Sequence, residues 1–218
     1  MINLDYYQTI IFDCDGVILN SNFQKIKAYR NAALEFGATN EEANQLVIHH
    51  TKLTGVSRNI KFKYFLSNIL CQEVTEKKMR DLIQSLNNNV IKLLKHCEIA
   101  EGLKDLKVSY PKNKWIVASG GAQDELRYLF SDKKIDHYFT EGIYGSPRSK
   151  HEIIEHELKD KSWFPALFIG DSLYDIKTAK KYDIDFLFVS DWTDLEDWEL
   201  VCKQHNVPSI KRLSELLS

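Results

Sequence analysis

The chain has 218 residues, of which 44% are hydrophobic and 28% charged, and its formal net charge is −2. These values are typical of a globular protein of one or two domains and exclude a largely disordered chain. The sequence has no run of about 20 apolar residues and no basic-then-apolar N-terminal segment, so we expect neither a membrane-spanning helix nor a signal peptide. The near-zero charge also argues against nucleic acid as a partner.

The first predicted element is a buried strand at residues 8–12, which is apolar and rich in β-branched side chains. It runs directly into Asp13, Cys14, Asp15 and Gly16. Two carboxylates one residue apart at a strand end suit Mg²⁺, and one of them can act as a nucleophile. An ordinary turn is the alternative, because aspartate is common in turns.

Four segments with helical periodicity follow, with no convincing strand between them, at residues 22–36, 41–50, 59–69 and 75–94. This part of the chain is basic. From Asn22 to Lys95 there are 12 basic and 6 acidic residues, whereas the remainder has 17 basic and 25 acidic residues. The sequence therefore indicates an all-helical insertion. The opposite charges suggest a cleft between it and the acidic remainder, and a surface charge that simply varies along the chain is the alternative.

Beyond residue 100, apolar strands alternate with helices, which predicts a parallel sheet covered on both faces. The predicted strands are residues 115–118, 166–169 and 186–189, and the predicted helices are 123–130, 174–182 and 209–217. Ligands of open parallel sheets bind beyond the carboxyl ends of the strands. We therefore expect the polar loops after these strands to form one site with Asp13 and Asp15.

Two of these loops carry candidate binding residues. Ser119 and Gly120 follow the strand at 115–118, where a hydroxyl and exposed amides before a helix can cradle a phosphate. Asp171 and Asp175 follow the strand at 166–169, and a spacing of four can place both on one face of a helix. A simple turn at Ser119 and ordinary helix capping by the aspartates are the alternatives.

A third loop carries Lys150, just before a predicted helix. A lysine here can balance clustered carboxylates and a phosphate. A solvent-facing lysine is the alternative, and Arg148 competes for the same role.

Taken together, these motifs resemble those of the haloacid dehalogenase-like hydrolase superfamily. The resemblance implies an α/β fold, in which a Rossmann-like parallel sheet forms a core of residues 1–20 and 96–218 and an all-helical cap is inserted at 21–95. The matching residues are Ile10 to Val17, Ala118 to Gly120, Lys150, and Ile169 to Ser172 with Asp175.

The resemblance also implies a Mg²⁺-dependent phosphatase acting on a small phosphorylated metabolite, such as a sugar phosphate or another small organic phosphate. Asp13 is the implied nucleophile, which forms an aspartyl-phosphate, and Asp15 is the implied general acid–base. Lys150 is expected to neutralise Asp13 and the phosphate.

The remaining motif residues have implied binding roles. Mg²⁺ is expected on the Asp13 carboxylate, the Asp15 backbone carbonyl and Asp171, with support from Asp175. Ser119 and the amide of Gly120 are expected to bind the phosphoryl group.

Residues 53–58 resemble the substrate-recognition loop of β-phosphoglucomutase-like members, which implies that Arg58 grips the substrate. An exposed arginine after an N-cap at Ser57 is the alternative. Those mutases carry a histidine where an ungapped alignment places Lys25, and the motif around Asp171 is closer to the phosphatases. We therefore expect a phosphatase, with a phosphosugar mutase as the alternative. A non-catalytic protein on this fold should have lost a motif residue, and none is obviously lost.

The four cysteines are far apart and form no CxxC pair, which argues against a zinc or thioredoxin-type site. Free thiols in a reducing cytoplasm are the simplest interpretation. Residues 191–199, with Trp192 and Trp198, form an extension without a functional interpretation, expected to be a surface helix or loop over the sheet edge.

Overall fold

The computed structural model describes residues 2–53 and 56–217. Within this part of the chain, six strands form one sheet in which every neighbouring pair is parallel. They are β1 (Thr9–Phe12), β2 (Lys114–Ala122), β3 (Ile143–Ser146), β4 (Ala166–Gly170), β5 (Asp185–Val189) and β6 (Ser209–Ile210). Their order across the sheet is β3-β2-β1-β4-β5-β6, so β1 is central and pairs with both β2 and β4.

The same residues contain nine α-helices, which cover the sheet and fill the long connection between β1 and β2. A π-helical segment, Phe65–Ile69, continues the third helix, and a short 3-10 helix, Leu213–Leu217, closes the chain. The α-helices are α1 (Asn22–Glu35), α2 (Asn40–Lys52), α3 (Arg58–Tyr64), α4 (Glu76–Leu94), α5 (Leu103–Ser109), α6 (Gln123–Asp132), α7 (Lys150–Glu157), α8 (Leu173–Lys181) and α9 (Trp198–His205).

The central strands are buried on both faces, which explains their nearly continuous apolar sequences. Successive residues of β1 alternate between the faces: Ile10 and Phe12 join one hydrophobic cluster, and Ile11 joins the other with Phe168 of β4. Each fully buried side chain of this kind stabilises the fold by about 1.5–3 kcal/mol. The predicted Rossmann-like parallel core is confirmed.

The predicted helical insertion after β1 is also confirmed, because α1 to α4 lie between β1 and β2 and pack on one another. Helix α4 turns Leu82, Leu86 and Val90 inward at a helical spacing of four, and α1 packs against both α2 and α4. Helix α4 also contacts α6, so the insertion rests on the sheet layer. The domain boundaries near residues 20 and 95 stay predictions.

Several predicted elements were wrong in extent or type. Residues 209–217 form β6 and a 3-10 helix rather than one α-helix, and β2 continues through Ala122 rather than ending at Ala118. Strand β3, helix α5 and helix α9 carry too short a pattern for periodicity to find. Trp198 begins α9, and its ring stacks on the Phe188 ring of β5 with centroids 5.7 Å apart. The end of the extension at residues 191–199 therefore covers the sheet.

No helix among the described residues is long and apolar enough to cross a bilayer. All four cysteines are free; Cys71 is exposed and the other three are buried.

Candidate active site

Three carboxylates meet at the carboxyl ends of β1 and β4. Asp13 follows β1, and its backbone N–H donates to the carbonyl of Ile169 at 2.9 Å, which fixes the strand end. Asp171 follows β4, and Asp175 lies in the first turn of α8. The three are buried and offer oxygens that all lie within 4.8 Å of one another. The loops after β1 and β4 therefore meet at one edge of the sheet, as predicted.

The turn after β1 must pass very close to Asp171. Gly16 has a φ of +76°, and a Cβ atom there would stand 2.0 Å from Asp171 Oδ2. The same oxygen accepts a hydrogen bond from Asn22 Nδ2 at 2.9 Å. Only glycine combines this backbone conformation with this approach.

The carboxylate cluster fits a divalent cation. Asp171 Oδ1 is buried and has no hydrogen-bond partner among the described residues. Burial, and then the charges of Asp13 and Asp175, raise the pKa of Asp171 well above its usual value. A bound cation stabilises the ionised form of such mutually repelling carboxylates, and hard oxygen ligands are those that Mg²⁺ prefers.

Lys150 is the first residue of α7, and its side chain reaches into the carboxylate cluster. Its Nζ atom lies 2.9 Å from Asp13 Oδ1 and contacts Asp175 Oδ1. Burial opposes the charge of Lys150, but the two carboxylates outweigh burial and raise its pKa above the usual value. Arg148 instead pairs with Glu157 at 2.9 Å and lies over the Tyr144 ring. Of the two candidates, Lys150 is the one at the site.

Two opposing effects act on the pKa of Asp13. Burial raises its pKa to about 7 against the lowering effect of Lys150. The Cys14 backbone N–H donates to Asp13 Oδ1 at 2.7 Å, the oxygen that also faces Lys150. Asp13 also lines the cleft between the sheet and the helical insertion.

The Asp15 carboxylate is directed to α1 rather than to the other three. Its Oδ2 lies 2.6 Å from Lys25 Nζ, and its Oδ1 accepts from the Ser21 hydroxyl at 2.5 Å. Burial raises the pKa of Asp15, but Lys25 and Ser21 outweigh burial and hold that pKa below its usual value. The sequence placed Lys25 at this position by alignment alone, and Ser21 and Asn22 were missed.

Ser119 and Gly120 lie within β2, not in a loop after it. The pairing of β2 with β3 shifts register between Ala118 and Ala122, and the glycines between them accommodate this irregularity. Ser119 is fully buried, and its Oγ accepts from the Gly121 N–H at 3.1 Å. Gly120 lines the same cleft as Asp13.

Both oxygens of Asp175 are occupied by protein groups. The Ser172 hydroxyl donates to Oδ2 at 2.6 Å, and Lys150 contacts Oδ1. Ser172 is the N-cap of α8, so the aspartate does not serve as the cap. Within the cluster, Asp175 thus orients Lys150.

Arg58 begins α3 and is buried at the cleft, but its terminal nitrogens are bound to protein groups. One lies 3.0 Å from Glu125 Oε2 on α6, and the other contacts Asn87 on α4. Arg58 thereby joins the insertion to the sheet layer. Thr54 and Gly55 of the predicted recognition loop lie outside the described residues.

The cleft itself is narrow. It encloses about 40 Å³ between the strand ends and the helices α1 to α4. Such a volume holds a few water molecules and not a phosphorylated metabolite, whose usual sites are several hundred Å³.

The family model described as haloacid dehalogenase-like hydrolase matches residues 10–189. No curated protein sequence matches the chain. Three solved structures share its fold at low identity. A predicted phosphoglycolate phosphatase from Haemophilus somnus has a TM-score of 0.75 and 16% identity, covering 99% of this chain and 98% of that one. A predicted phosphatase from Clostridium acetobutylicum has a TM-score of 0.74 and 18% identity, and the match covers 96% of each chain. A β-phosphoglucomutase from Clostridium difficile has a TM-score of 0.73 and 17% identity, and the match covers 96% of this chain and 93% of that one.

Proposed function

This chain belongs to the haloacid dehalogenase-like hydrolase family, and we propose that it is a Mg²⁺-dependent phosphatase of a small phosphorylated metabolite. The observation that carries the proposal is the bridging position of Lys150 between Asp13 and Asp175, with Asp171 beside them. This cluster combines a nucleophile, a fixed cation and a cation site. Phosphoryl transfer needs little more than such positioning and charge neutralisation.

Asp13 attacks phosphorus, the bond to the leaving oxygen breaks, and an aspartyl-phosphate forms on Asp13. Lys150 neutralises the carboxylate before the attack and the phosphoryl oxygens after it. Both side chains are almost fully buried, so their attraction is weakly screened by solvent. This arrangement supports a nucleophilic role for Asp13.

Asp15 handles protons in both steps. When protonated, it donates to the leaving oxygen, and when ionised, it accepts the proton of the water that cleaves the aspartyl-phosphate. Lys25 and Ser21 favour the ionised form of Asp15, which is the form that the second step requires.

Mg²⁺ would be held by the carboxylates of Asp13 and Asp171 and by the backbone carbonyl of Asp15, with support from Asp175. The ion supplies positive charge to the transferring phosphoryl group. The unpartnered Oδ1 of Asp171 supports this assignment.

The phosphoryl group lies between β1 and β2, against the Gly120 backbone. Ser119 stabilises this part of β2, because its Oγ accepts a hydrogen bond from the Gly121 N–H. We propose that residues 21–95 form a cap that opens to admit the substrate, because the cleft is too small to bind one as it stands. Arg58 then joins cap and core in the closed state and reaches the substrate when the cap moves.

A phosphosugar mutase would use the same Asp13 chemistry. The ion pair of Asp15 with Lys25 suits both reactions, because water and a sugar hydroxyl each give a proton to Asp15 when they attack the aspartyl-phosphate. The phosphatase is preferred on the sequence motif around Asp171. A panel of phosphorylated metabolites, assayed with Mg²⁺ and with a chelator, tests the proposal. We expect Mg²⁺-dependent phosphate release for at least one small phosphate. Interconversion of hexose phosphates without net phosphate release would indicate the mutase instead.

A further inference from the structure

Three cationic side chains from α1 and α3 line the cleft. Two of them have a carboxylate partner: Lys25 lies 2.6 Å from Asp15, and Arg58 lies 3.0 Å from Glu125. Among the described residues, no carboxylate oxygen lies within 4.0 Å of the Nζ atom of Lys61. Lys61 is therefore the cation of this cleft whose charge the described part of the protein leaves without an ion pair.

Lys61 is only 2% exposed and is held in a defined position. Its Nζ atom lies 2.8 Å from His50 Nδ1 and 5.4 Å from the centroid of the Tyr29 ring. The His50 ring stacks on Tyr29 with centroids 4.0 Å apart. Burial, and then the Lys61 charge, keep the pKa of His50 well below its usual value, so its ring is neutral and can accept a hydrogen bond from Lys61. The amine keeps further N–H groups for a ligand.

Fold stability does not explain a lysine at this position. Burial, followed by the charge of Lys25, lowers the pKa of Lys61 to about 7. A buried ammonium without a counter-ion is costly, and an apolar side chain of similar volume would avoid that cost. An anion that enters the cleft would supply the missing charge and return Lys61 to its ammonium form.

We propose that Lys61 binds a carboxylate of the substrate, which makes the substrate a small phosphorylated carboxylic acid. The inference rests on the proposed function, which places the phosphoryl group at Asp13 in the same cleft. A carboxylate carries the single negative charge that Lys61 lacks, whereas a second phosphate would carry nearly two. Asp15 and Asp194 also line this cleft, and their charges favour the ammonium form of Lys61 without outweighing burial, so one further negative charge beside Lys61 is what the cleft lacks.

The test uses phosphorylated two-, three- and four-carbon hydroxy acids, each paired with its carboxamide, which has the same size and no charge. For the best pair, we expect wild type to prefer the acid by about tenfold or more in kcat/KM, as for one charge-assisted hydrogen bond. Lys61→Met should lose this preference, while its kcat/KM for the amide stays within about threefold of wild type. Lys63→Met is the matched control, because it removes an exposed lysine from the same helix.

A binding measurement separates this inference from the proposed function. Calorimetry with Asp13→Asn should show the same acid preference without turnover, and the double variant with Lys61→Met should lose it. If wild type hydrolyses other phosphate esters but neither hydrolyses nor binds an acid in preference to its amide, the Lys61 inference is wrong and the phosphatase stands. An equal preference in Lys61→Met also overturns the inference. Selective binding of the acid by an enzyme that releases no phosphate would support Lys61 and refute the phosphatase.

Discussion

Three buried lysines at this site differ in whether a carboxylate balances their charge. The pKa values of Lys25 and Lys150 are raised, because carboxylates outweigh the effect of burial, whereas the pKa of Lys61 falls because none is close enough to do so. The first two have their counter-ions within the protein itself. Lys61 reduces the stability of the free enzyme, as expected of a residue kept for a ligand.

That cost predicts a pH-dependent stability. Lys61 titrates near 10.5 when unfolded and at about 7 when folded, so between these values the unfolded chain binds more protons and stability rises with pH. We expect the free energy of unfolding of wild type, relative to Lys61→Met, to increase by about 2 kcal/mol or more from pH 7 to pH 10. Urea unfolding at several pH values measures it.

The prediction concerns the difference in unfolding free energy between wild type and Lys61→Met, because other groups that face Lys61 also titrate. They are Lys25 and Tyr29 from α1, His50 from α2, Arg58 from its own helix, and Asp15 and Asp194 from the core. Their contributions largely cancel between the two proteins. A difference in stability that does not change with pH would contradict the lowered pKa of Lys61.

Single residues were predictable where their position depended on one strand end. Asp13 and Asp171 were found in this way, because parallel strands place their carboxyl ends at the same edge. The contact of Lys61 with His50 could not be predicted, since the two residues lie on different helices and no local pattern reveals that they face each other. The choice between Lys150 and Arg148 likewise needed the position of α7.

At the scale of elements, the start of α7 is what aims Lys150 at the carboxylates. Ser149 and Glu152 form a capping box: each side chain bonds the backbone N–H of the other residue. This Ser-x-x-Glu pattern is visible in the sequence and could have located the helix start.

We expect Ser149→Ala to reduce the free energy of unfolding by about 1 kcal/mol and to reduce kcat, because the cap positions the residue that contacts Asp13. Thr39→Ala is the matched control, since Thr39 and Glu42 form the same capping box at the start of α2. It should lose similar stability without losing kcat. Equal effects of both variants on kcat would show that the α7 cap has no particular role at the site.

Elements were predictable where their pattern was long. The helices α1, α2 and α4 and the strands β1 and β4 are clear from periodicity and apolar runs. Strand β6 has two residues and β3 has four, one of them a glycine, so neither carries a pattern. The extension of β2 through two glycines depends on pairing with β3, which no local signal reveals.

At the scale of the whole molecule, the basic insertion closes over the acidic end of the sheet. Contacts that join them include Lys25 with Asp15, Arg58 with Glu125, and the Ser57 hydroxyl with the Ser146 hydroxyl at 3.3 Å. The basic charge of the insertion is suited to attract an anion toward the carboxylates. Charge counts indicated this division, but the closeness of the two parts required coordinates.

The proposed opening of the cap predicts that locking it shut abolishes turnover. Ser57→Cys with Ser146→Cys, in a Cys71→Ser background that removes the exposed thiol, places two thiols across the cleft. We expect oxidation to reduce kcat/KM by about tenfold or more and reductant to restore it, because the substrate cannot enter. The two single variants in the same background should not respond. Full activity of the oxidised, cross-linked protein would contradict the opening.

The central claim is that Asp13 is the nucleophile of a Mg²⁺-dependent phosphatase. The most direct measurement compares phosphate release by wild type and Asp13→Asn on the best substrate of the panel, with Asp124→Asn, at an exposed position of α6, as the matched control. We predict that Asp13→Asn lowers kcat by about 10³-fold or more, while Asp124→Asn matches wild type. Full activity of a correctly folded Asp13→Asn protein would contradict the account.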